Sequence, residues 1–278
     1  MKHRPVRFLK RFGIYATAAL LVAFILMPFV WIVITSVQDT DHLQSVPPSV
    51  SLRKLDFSSY RQLFADPLFR RSLTNSLVAV SSATLLAMVI ASLGGYAVGC
   101  FHLRVKSGVL FFMLIVQLVP ALALLIPFFM ILRSLRLIDT FGGLILVFLV
   151  FQVPVGIWML RGFFASIPHE LFDAASIDGC SRMGTLLRIA IPLARPGIVA
   201  VGIYTFIGGW NDLLIPIIVS LYRRTMLTVY ATSFGGLYDT NYGGAAAVAV
   251  LSALPTVLMA IAFRKQLIQG LTAGAVKG

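Results

Sequence analysis

The chain has 278 residues, of which 59% are apolar and only 12% are charged, and its mean hydropathy is +0.93. A soluble core of this length does not bury so much apolar side chain, so the composition excludes an ordinary soluble domain and favours a membrane protein. The 23 lysine and arginine residues, against 10 acidic ones, fall between long uncharged runs, which indicates membrane topology rather than a nucleic-acid surface. Two cysteines exclude a disulfide-dense scaffold, and no Cys/His cluster predicts a metal site.

Six uncharged runs are long enough to cross a membrane. A helix rises about 1.5 Å per residue, so roughly 20 apolar residues cross a hydrocarbon layer about 30 Å thick. The sequence therefore predicts an all-α membrane protein in which residues 1–278 form a single transmembrane domain. The six predicted spans lie near residues 13–35, 76–98, 109–131, 141–161, 197–219 and 243–263.

The basic residues around the first run predict the orientation. Five lysines and arginines precede that run and none follows it until Arg53, so the positive-inside rule places the N-terminus in the cytoplasm. The run is too long for a secretory signal peptide and lacks a small-residue cleavage pattern, so we interpret it as a retained anchor. Six crossings return the C-terminus to the cytoplasm, with 14 basic residues inside and 9 outside.

The largest predicted cytoplasmic loop, residues 161–195, has the pattern of two short helices. We expect Ser166 or a neighbour to cap the first helix, and Pro168 suits its first turn, where the missing N–H is not needed. Gly179 is expected to end this helix in the left-handed conformation.

A second helical stretch is predicted from Ser181 to Ile191, with Pro192 breaking it before the fifth span. The two helices form an elbow, residues 166–192, across the cytoplasmic face. Its first helix combines the bulky Phe172 with two neighbouring alanines, and two interpretations remain open. Either it packs on its own bundle or on lipid headgroups, or it docks into a soluble partner with Phe172 as the anchor.

A resemblance to a known family begins in this elbow. The sequence DAASIDGCS at residues 173–181, followed by Ile189, Pro192 and Pro196, resembles the EAA loop of the membrane-spanning subunits of binding-protein-dependent ABC importers. Further matching pieces, spread over nearly the whole chain, are Asn75-Ser76-Leu77, Tyr96-Ala97, Phe101, Leu137-Ile138-Asp139-Thr140, Trp210-Asn211-Asp212 and the ending 270–278. That ending resembles the smaller subunit of the maltose-type carbohydrate permeases. The chain departs from the family pattern at Cys100, where Arg is usual, and at Asp173, Cys180 and Leu186.

The resemblance implies the type I ABC importer permease fold and a subunit that forms half of a translocation pathway. The implied cargo is a carbohydrate or a related polyol or sugar phosphate. The implied partners are a second permease subunit, two copies of a cytoplasmic ATP-binding subunit, an extracytoplasmic substrate-binding protein and the lipid of the plasma or inner membrane, without nucleic acid. Because the chain has no GxxxxGK[ST] loop, we expect no catalytic residue and no cofactor in it, and ATP and Mg belong to the partner ATPase.

The resemblance also assigns energy coupling to the loop 168–192. The elbow is expected to sit in a cleft of the ATPase and to rock the spans between inward-open and outward-open states when that cleft moves. The predicted coupling residues are Glu170, Phe172, Asp173, Ala174, Ala175, Asp178 and Gly179.

The fifth predicted span holds the candidate pathway residues. Asp212 is the only acid in the middle of an apolar run, and ionisable groups inside a membrane usually face a wet interior. The alternative is that Asn211 and Asp212 only satisfy neighbouring helices. Tyr204 and Trp210 either stack on sugar rings or pack in the core. The outer loop 222–242 either touches the binding protein or forms an interfacial belt.

Two other functions compete with the importer. An ion-coupled secondary transporter usually shows several intramembrane acids or inverted repeats, and this sequence has one such acid and no convincing repeat. A membrane-embedded hydrolase needs a nucleophile–base pair or metal ligands at membrane depth, but the four histidines lie at or outside the predicted interfaces and no HExxH is present. Only the importer requires a bound ATPase.

Overall fold

The computed structural model describes residues 4–39, 43, 55–101, 104–235 and 241–266, and within these residues every regular element is a helix. The C-terminal motif 270–278 lies outside the described residues. The helices are α1 (Arg4–Ser36), α2 (Ser58–Ala65), α3 (Pro67–Cys100), α4 (Lys106–Leu118), α5 (Ala121–Ser134), α6 (Phe141–Ala165), α7 (His169–Ile177), α8 (Arg182–Trp210), α9 (Leu214–Val219), α10 (Leu227–Ala231) and α11 (Tyr242–Ala262).

Five of these helices, α1, α3, α6, α8 and α11, are long and apolar enough to cross a membrane. A sixth crossing is possible if α4 and α5 count as one span, but they meet at 96°. The structure therefore divides the single helix predicted near residues 109–131 into two helices, α4 and α5. Pro120 lacks an N–H and disfavours helical backbone at the residue before it, and Val119 is extended, with ψ 124°.

The helix boundaries around the fifth span also differ from the prediction. Pro192 does not end the helix, because a π-helical turn at Leu186–Ala190 changes the hydrogen-bond register just before it. Its missing N–H then falls in the first turn of the following α-helical segment, where an intrahelical N–H donor is not needed. At the other end, α8 stops at Trp210 instead of continuing to residue 219, and α9 is a separate helix.

The contacts divide the chain into two compact units, Met1–Pro67 with Ala231–Ala253, and Leu68–Tyr230 with Leu254–Gly278. In the first unit, the Asp56 amide donates to the Val37 carbonyl at 2.9 Å, and the hydroxyls of Ser36 and Tyr60 lie 2.8 Å apart. These bonds tie the end of α1 to α2. A single permease domain spanning 1–278 stays a prediction.

The second unit holds its core together through a close crossing of α3 and α6. A Cβ atom added at Gly95 would lie 3.0 Å from the Leu160 Cβ, and one at Gly99 would lie 3.0 Å from the Phe164 Cβ and 3.1 Å from the Arg161 carbonyl oxygen. The two glycines are four residues apart, so they lie on one face of α3 and let the two backbones approach closely. This crossing fixes the positions of the ends of α3 and α6, on which the elbow packs.

Candidate functional site

The first elbow helix, α7, begins differently from the prediction. It starts at His169, directly after Pro168, and no side chain in the described part of the chain caps it. The Ser166 hydroxyl donates to the Phe163 carbonyl at 2.7 Å, so it satisfies the end of α6 rather than the start of α7. The predicted Ser166 cap is wrong because α6 extends to Ala165 and leaves Ser166 within reach of its last carbonyls.

The end of α7 is formed by Gly179, whose φ of +75° confirms the predicted left-handed conformation. The Cys180 amide donates to the Ala175 carbonyl at 2.9 Å, and the Gly179 amide donates to the Ser176 carbonyl at 3.2 Å. This pair of bonds is a Schellman motif, which satisfies the last carbonyls of the helix and reverses the chain. The next helix starts at once, because the Ser181 hydroxyl accepts from the Gly184 amide at 3.1 Å. The elbow angle is therefore set by hydrogen bonds at both helix ends.

One face of α7 packs on its own bundle. Ala175 is only 3% exposed, and the ring of Phe172 lies 6.1 Å from the ring of Tyr96, which also contacts Phe164 at 5.9 Å. Cys100, at the position where the family has Arg, is half-buried, and its thiol lies 3.6 Å from the Phe164 carbonyl. Phe172 is therefore only partly exposed, because it packs against Tyr96, and its role as an anchor for a partner stays a prediction.

The opposite face of α7 is open. Ile177 is 87% exposed and Leu171 is 41% exposed, on a face that also carries four of the predicted coupling residues: Glu170, Asp173, Ala174 and Asp178. Among the described residues, none of the three carboxylates takes part in a hydrogen bond or ion pair, so they are available to cations. Sequence reasoning missed Ile177, although its helical spacing from Asp173 and Ala174, away from Phe172, was a sufficient signal.

A cavity of about 380 Å³ lies in the second unit, between α6 and α8. Its lining residues are Ala121, Phe148, Phe151, Gln152, Val155, Tyr204, Thr205, Ile207, Gly208, Gly209, Asp212 and Ile215. Two of the four predicted pathway residues, Tyr204 and Asp212, therefore lie on its wall. Trp210 does not, because it is buried and stacks on Phe206 at 5.7 Å. Asn211 is not a lining residue either; it is exposed, and its amide donates to the Ile207 carbonyl at 2.9 Å.

Asp212 occupies the break between α8 and α9. Its carboxylate accepts from the Ile215 amide at 2.9 Å and so caps α9, and its carbonyl accepts from the Thr228 hydroxyl at 2.8 Å. The two interpretations of Asp212 are thus compatible, since one side chain both satisfies a helix end and lines the cavity.

Gln152 is a cavity residue that sequence reasoning missed. It is 8% exposed, and its amide nitrogen donates to the Thr205 carbonyl at 3.3 Å, while Oε1 has no hydrogen-bond partner among the described residues. A Cβ atom at Gly209 would lie 2.8 Å from that amide nitrogen, so only glycine leaves room for this pairing of α6 with α8. The available signal was an amide side chain inside an otherwise apolar span.

These features define an α-helical membrane transport subunit with an exposed elbow and a cavity between its helices. Residues 91–270 match the family of binding-protein-dependent transport system inner membrane components. The sulfoquinovosyl glycerol transport system permease protein of Agrobacterium fabrum is 31% identical over 276 residues, which is 99% of this chain and 94% of that protein. The trehalose transport system permease protein of Mycobacterium tuberculosis is 32% identical over 93% of this chain and 95% of that protein.

Solved structures agree with these relatives. A chain in a bacterial ABC transporter that imports the acidic polysaccharide alginate has a TM-score of 0.79 at 20% identity, covering 95% of this chain and 98% of that one. At such identity the likeness shows the fold alone, and the predicted type I importer permease fold is confirmed.

The chain therefore belongs to the family of inner membrane components of binding-protein-dependent transport systems. It is a multi-pass membrane protein and a non-catalytic transport subunit. The resemblance inferred from the sequence is confirmed, and neither the secondary transporter nor the hydrolase is supported.

Proposed function

We propose that this chain forms half of the translocation pathway of an ATP-driven importer for a carbohydrate or a related polyol or sugar phosphate. The observation that carries the proposal is the elbow, whose exposed apolar face is built on a motif that resembles the family's coupling loop. The cargo class is supported by the names of three relatives. One is named for trehalose, one for trehalose and maltose, and one for arabinooligosaccharides, and their alignments cover 93%, 97% and 100% of this chain.

The elbow couples transport to a separate cytoplasmic ATPase. Ile177 and Leu171 enter a groove of the ATPase, since exposed aliphatic groups on a short helix gain most by such burial. Glu170, Asp173 and Asp178 pair with cations around that groove. ATP and Mg bind on the ATPase, because this sequence has no phosphate-binding loop.

Force passes from the elbow into the bundle through its buried face. Phe172 lies against Tyr96 of α3, and the Tyr96 hydroxyl donates to the Arg182 carbonyl of α8 at 3.4 Å. Tyr96 thus contacts both helices of the elbow, and the second of these continues into the membrane as α8, so a displacement of α7 moves α3 and α8 together with it. Gly179 holds the angle between the two elbow helices, and the small Ala175 allows their close packing.

The cavity is this subunit's part of the pathway. Its aromatic and aliphatic walls suit the apolar faces of sugar rings, and Gln152, Tyr204 and Asp212 supply a few polar groups for hydroxyls. Trp210 and Asn211 do not line the cavity. They stabilise the helix that forms its wall and do not contact cargo.

The partners are a second permease subunit, two ATPase copies and an extracytoplasmic binding protein, with both termini of this chain in the cytoplasm. The distribution of contacts supports this orientation. Tyr96 near one end of α3 bonds to Arg182 of the elbow, whereas Asn75 near the other end bonds to the segment after α9. Alternate crossing places these ends on opposite sides of the membrane.

Uptake into proteoliposomes tests the proposal. The complex of both permeases, the ATPase and the binding protein is reconstituted, and labelled trehalose, maltose and glycerol 3-phosphate are offered with ATP or without it. We expect uptake of at least one of these cargoes that needs ATP, the ATPase and the binding protein. Uptake by this chain without the ATPase, driven by an ion gradient, would contradict it.

A further inference from the structure

The segment 220–226, which lies between α9 and α10 and which we call the outer segment, is held by side chains from distant parts of the chain. The Asn75 amide donates to the carbonyls of Arg223 and Thr225 at 3.3 and 3.1 Å. The Ser76 hydroxyl accepts from the Leu227 amide at 2.8 Å. Asn75 and Ser76 are both buried in α3, so the segment is tied to a spanning helix.

Asp139 makes the densest set of these bonds. Its carboxylate accepts from the amides of Tyr222, Arg223 and Arg224 at 3.2, 2.7 and 3.0 Å. Its own amide donates to the Val219 carbonyl at 2.8 Å. Three consecutive amides that converge on one carboxylate fix the turn, because charged acceptors make the stronger hydrogen bonds.

This arrangement turns the backbone of the outer segment inward at residues 222–225 and buries the side chains of Ser220 and Met226, but it leaves the short run of side chains at 221–223 outward. Tyr222 is 80% exposed, and Arg223 and Leu221 are exposed beside it. Arg224 is not turned outward in the same way. Its guanidinium carbon lies 4.1 Å from the centroid of the Phe141 ring, and this contact also holds the outer segment in place. An exposed tyrosine and arginine on a fixed backbone are the residue types that dominate protein–protein contacts.

We propose that Asp139 is a positioning residue that holds the outer segment preformed as a contact surface for the extracytoplasmic binding protein. The inference rests on the proposed function, which places this end of the chain outside and requires such a partner. A segment without helix or strand would otherwise be ordered during docking, and that loss of freedom would weaken binding. The proposal also gives a role to two sequence motifs that otherwise have none. These are Asn75-Ser76-Leu77 and the turn that contains Asp139.

The test is Asp139→Asn in the reconstituted complex. Asparagine also tolerates the positive φ of 58° at this position, so the variant removes the charge and one acceptor without straining the backbone. We expect hydrogen exchange of the amides at 222–224 to accelerate about tenfold or more. ATPase activity is titrated with purified binding protein, with and without trehalose and maltose. The concentration for half-maximal stimulation should rise about tenfold, while the maximal stimulated rate is retained.

Asp56→Asn is the matched control, because Asp56 is also predicted on the outer side and its carboxylate accepts from the Ser58 amide at 2.9 Å. It should leave the half-stimulating concentration unchanged. Faster exchange at 222–224 with normal binding in Asp139→Asn would overturn the proposal, and so would unchanged exchange. If that variant does not assemble, Tyr222→Ala is tested in its place. It should raise the half-stimulating concentration to a similar extent, and an unchanged value would also overturn the proposal. A wild-type complex that no binding protein stimulates contradicts the proposed function itself.

Discussion

Replacing Gly179 by valine tests whether the elbow angle transmits force. Gly179 has a φ of +75°, and a Cβ atom there would meet none of the described residues within 4 Å, so the substitution causes no clash with them and acts through the backbone. A residue with a Cβ pays roughly 1–2 kcal/mol in the left-handed conformation, and a β-branched residue lies at the upper end. A penalty of this size reduces the ratio of intact to opened elbow by a factor of about 5–30.

The assay measures transport and ATP hydrolysis together in proteoliposomes. We expect Gly179→Val to insert and assemble, because the Gly179 position is exposed, but to transport less cargo for each ATP hydrolysed. Asparagine tolerates left-handed backbone better than alanine or valine, so coupling should decrease in the order Gly, Asn, Ala, Val.

Gly162→Val is the matched control. Gly162 lies in the helical backbone of α6, and a Cβ atom there also meets nothing within 4 Å. This variant should couple normally, since it adds the same side chain without the left-handed strain. Wild-type coupling in Gly179→Val, or an equal loss in both variants, would refute the reasoning.

Two further predictions concern the cavity and the helix crossing. Asp212→Asn keeps an acceptor for the Ile215 amide and so should retain the thermal midpoint, while the apparent affinity for cargo falls several-fold; an unchanged affinity would leave Asp212 with its capping role alone. Gly99→Val should lower the thermal midpoint of the purified complex, because overpacking the α3–α6 crossing costs about 1–3 kcal/mol, whereas Gly108→Val, with open space around it, should not.

Features set by neighbouring residues were predictable from the sequence. The end of α7 follows from Gly179 alone, because glycine adopts the left-handed backbone that stops a helix. Pro120 is a comparable signal for the bend between α4 and α5. The uncharged run around it is long enough for one crossing, however, and so predicts a single helix. Run length measures whether a segment fits a membrane and is insensitive to a break inside the segment.

Features set by distant residues were not predictable. Whether Phe172 faces a partner or its own bundle depends on Tyr96, which lies in another helix. The role of Asp139 depends on an amide 83 residues away. The sequence predicts that Pro192 ends the second elbow helix, but the helix continues through a π-helical turn in which Leu186 and Ala190 are buried in the core. In each case packing overrides the local preference.

Side-specific labelling of Ile177→Cys, in a background with Cys100 and Cys180 replaced by serine, tests the central claim most directly. A membrane-impermeant maleimide is applied to right-side-out and inside-out vesicles, with the ATPase bound and after its removal. Because Ile177 is 87% exposed at the tip of α7, we predict rapid labelling from the cytoplasmic side only, and strong protection when the ATPase is bound. Labelling from the outside, or equal labelling with and without the ATPase, would contradict the account.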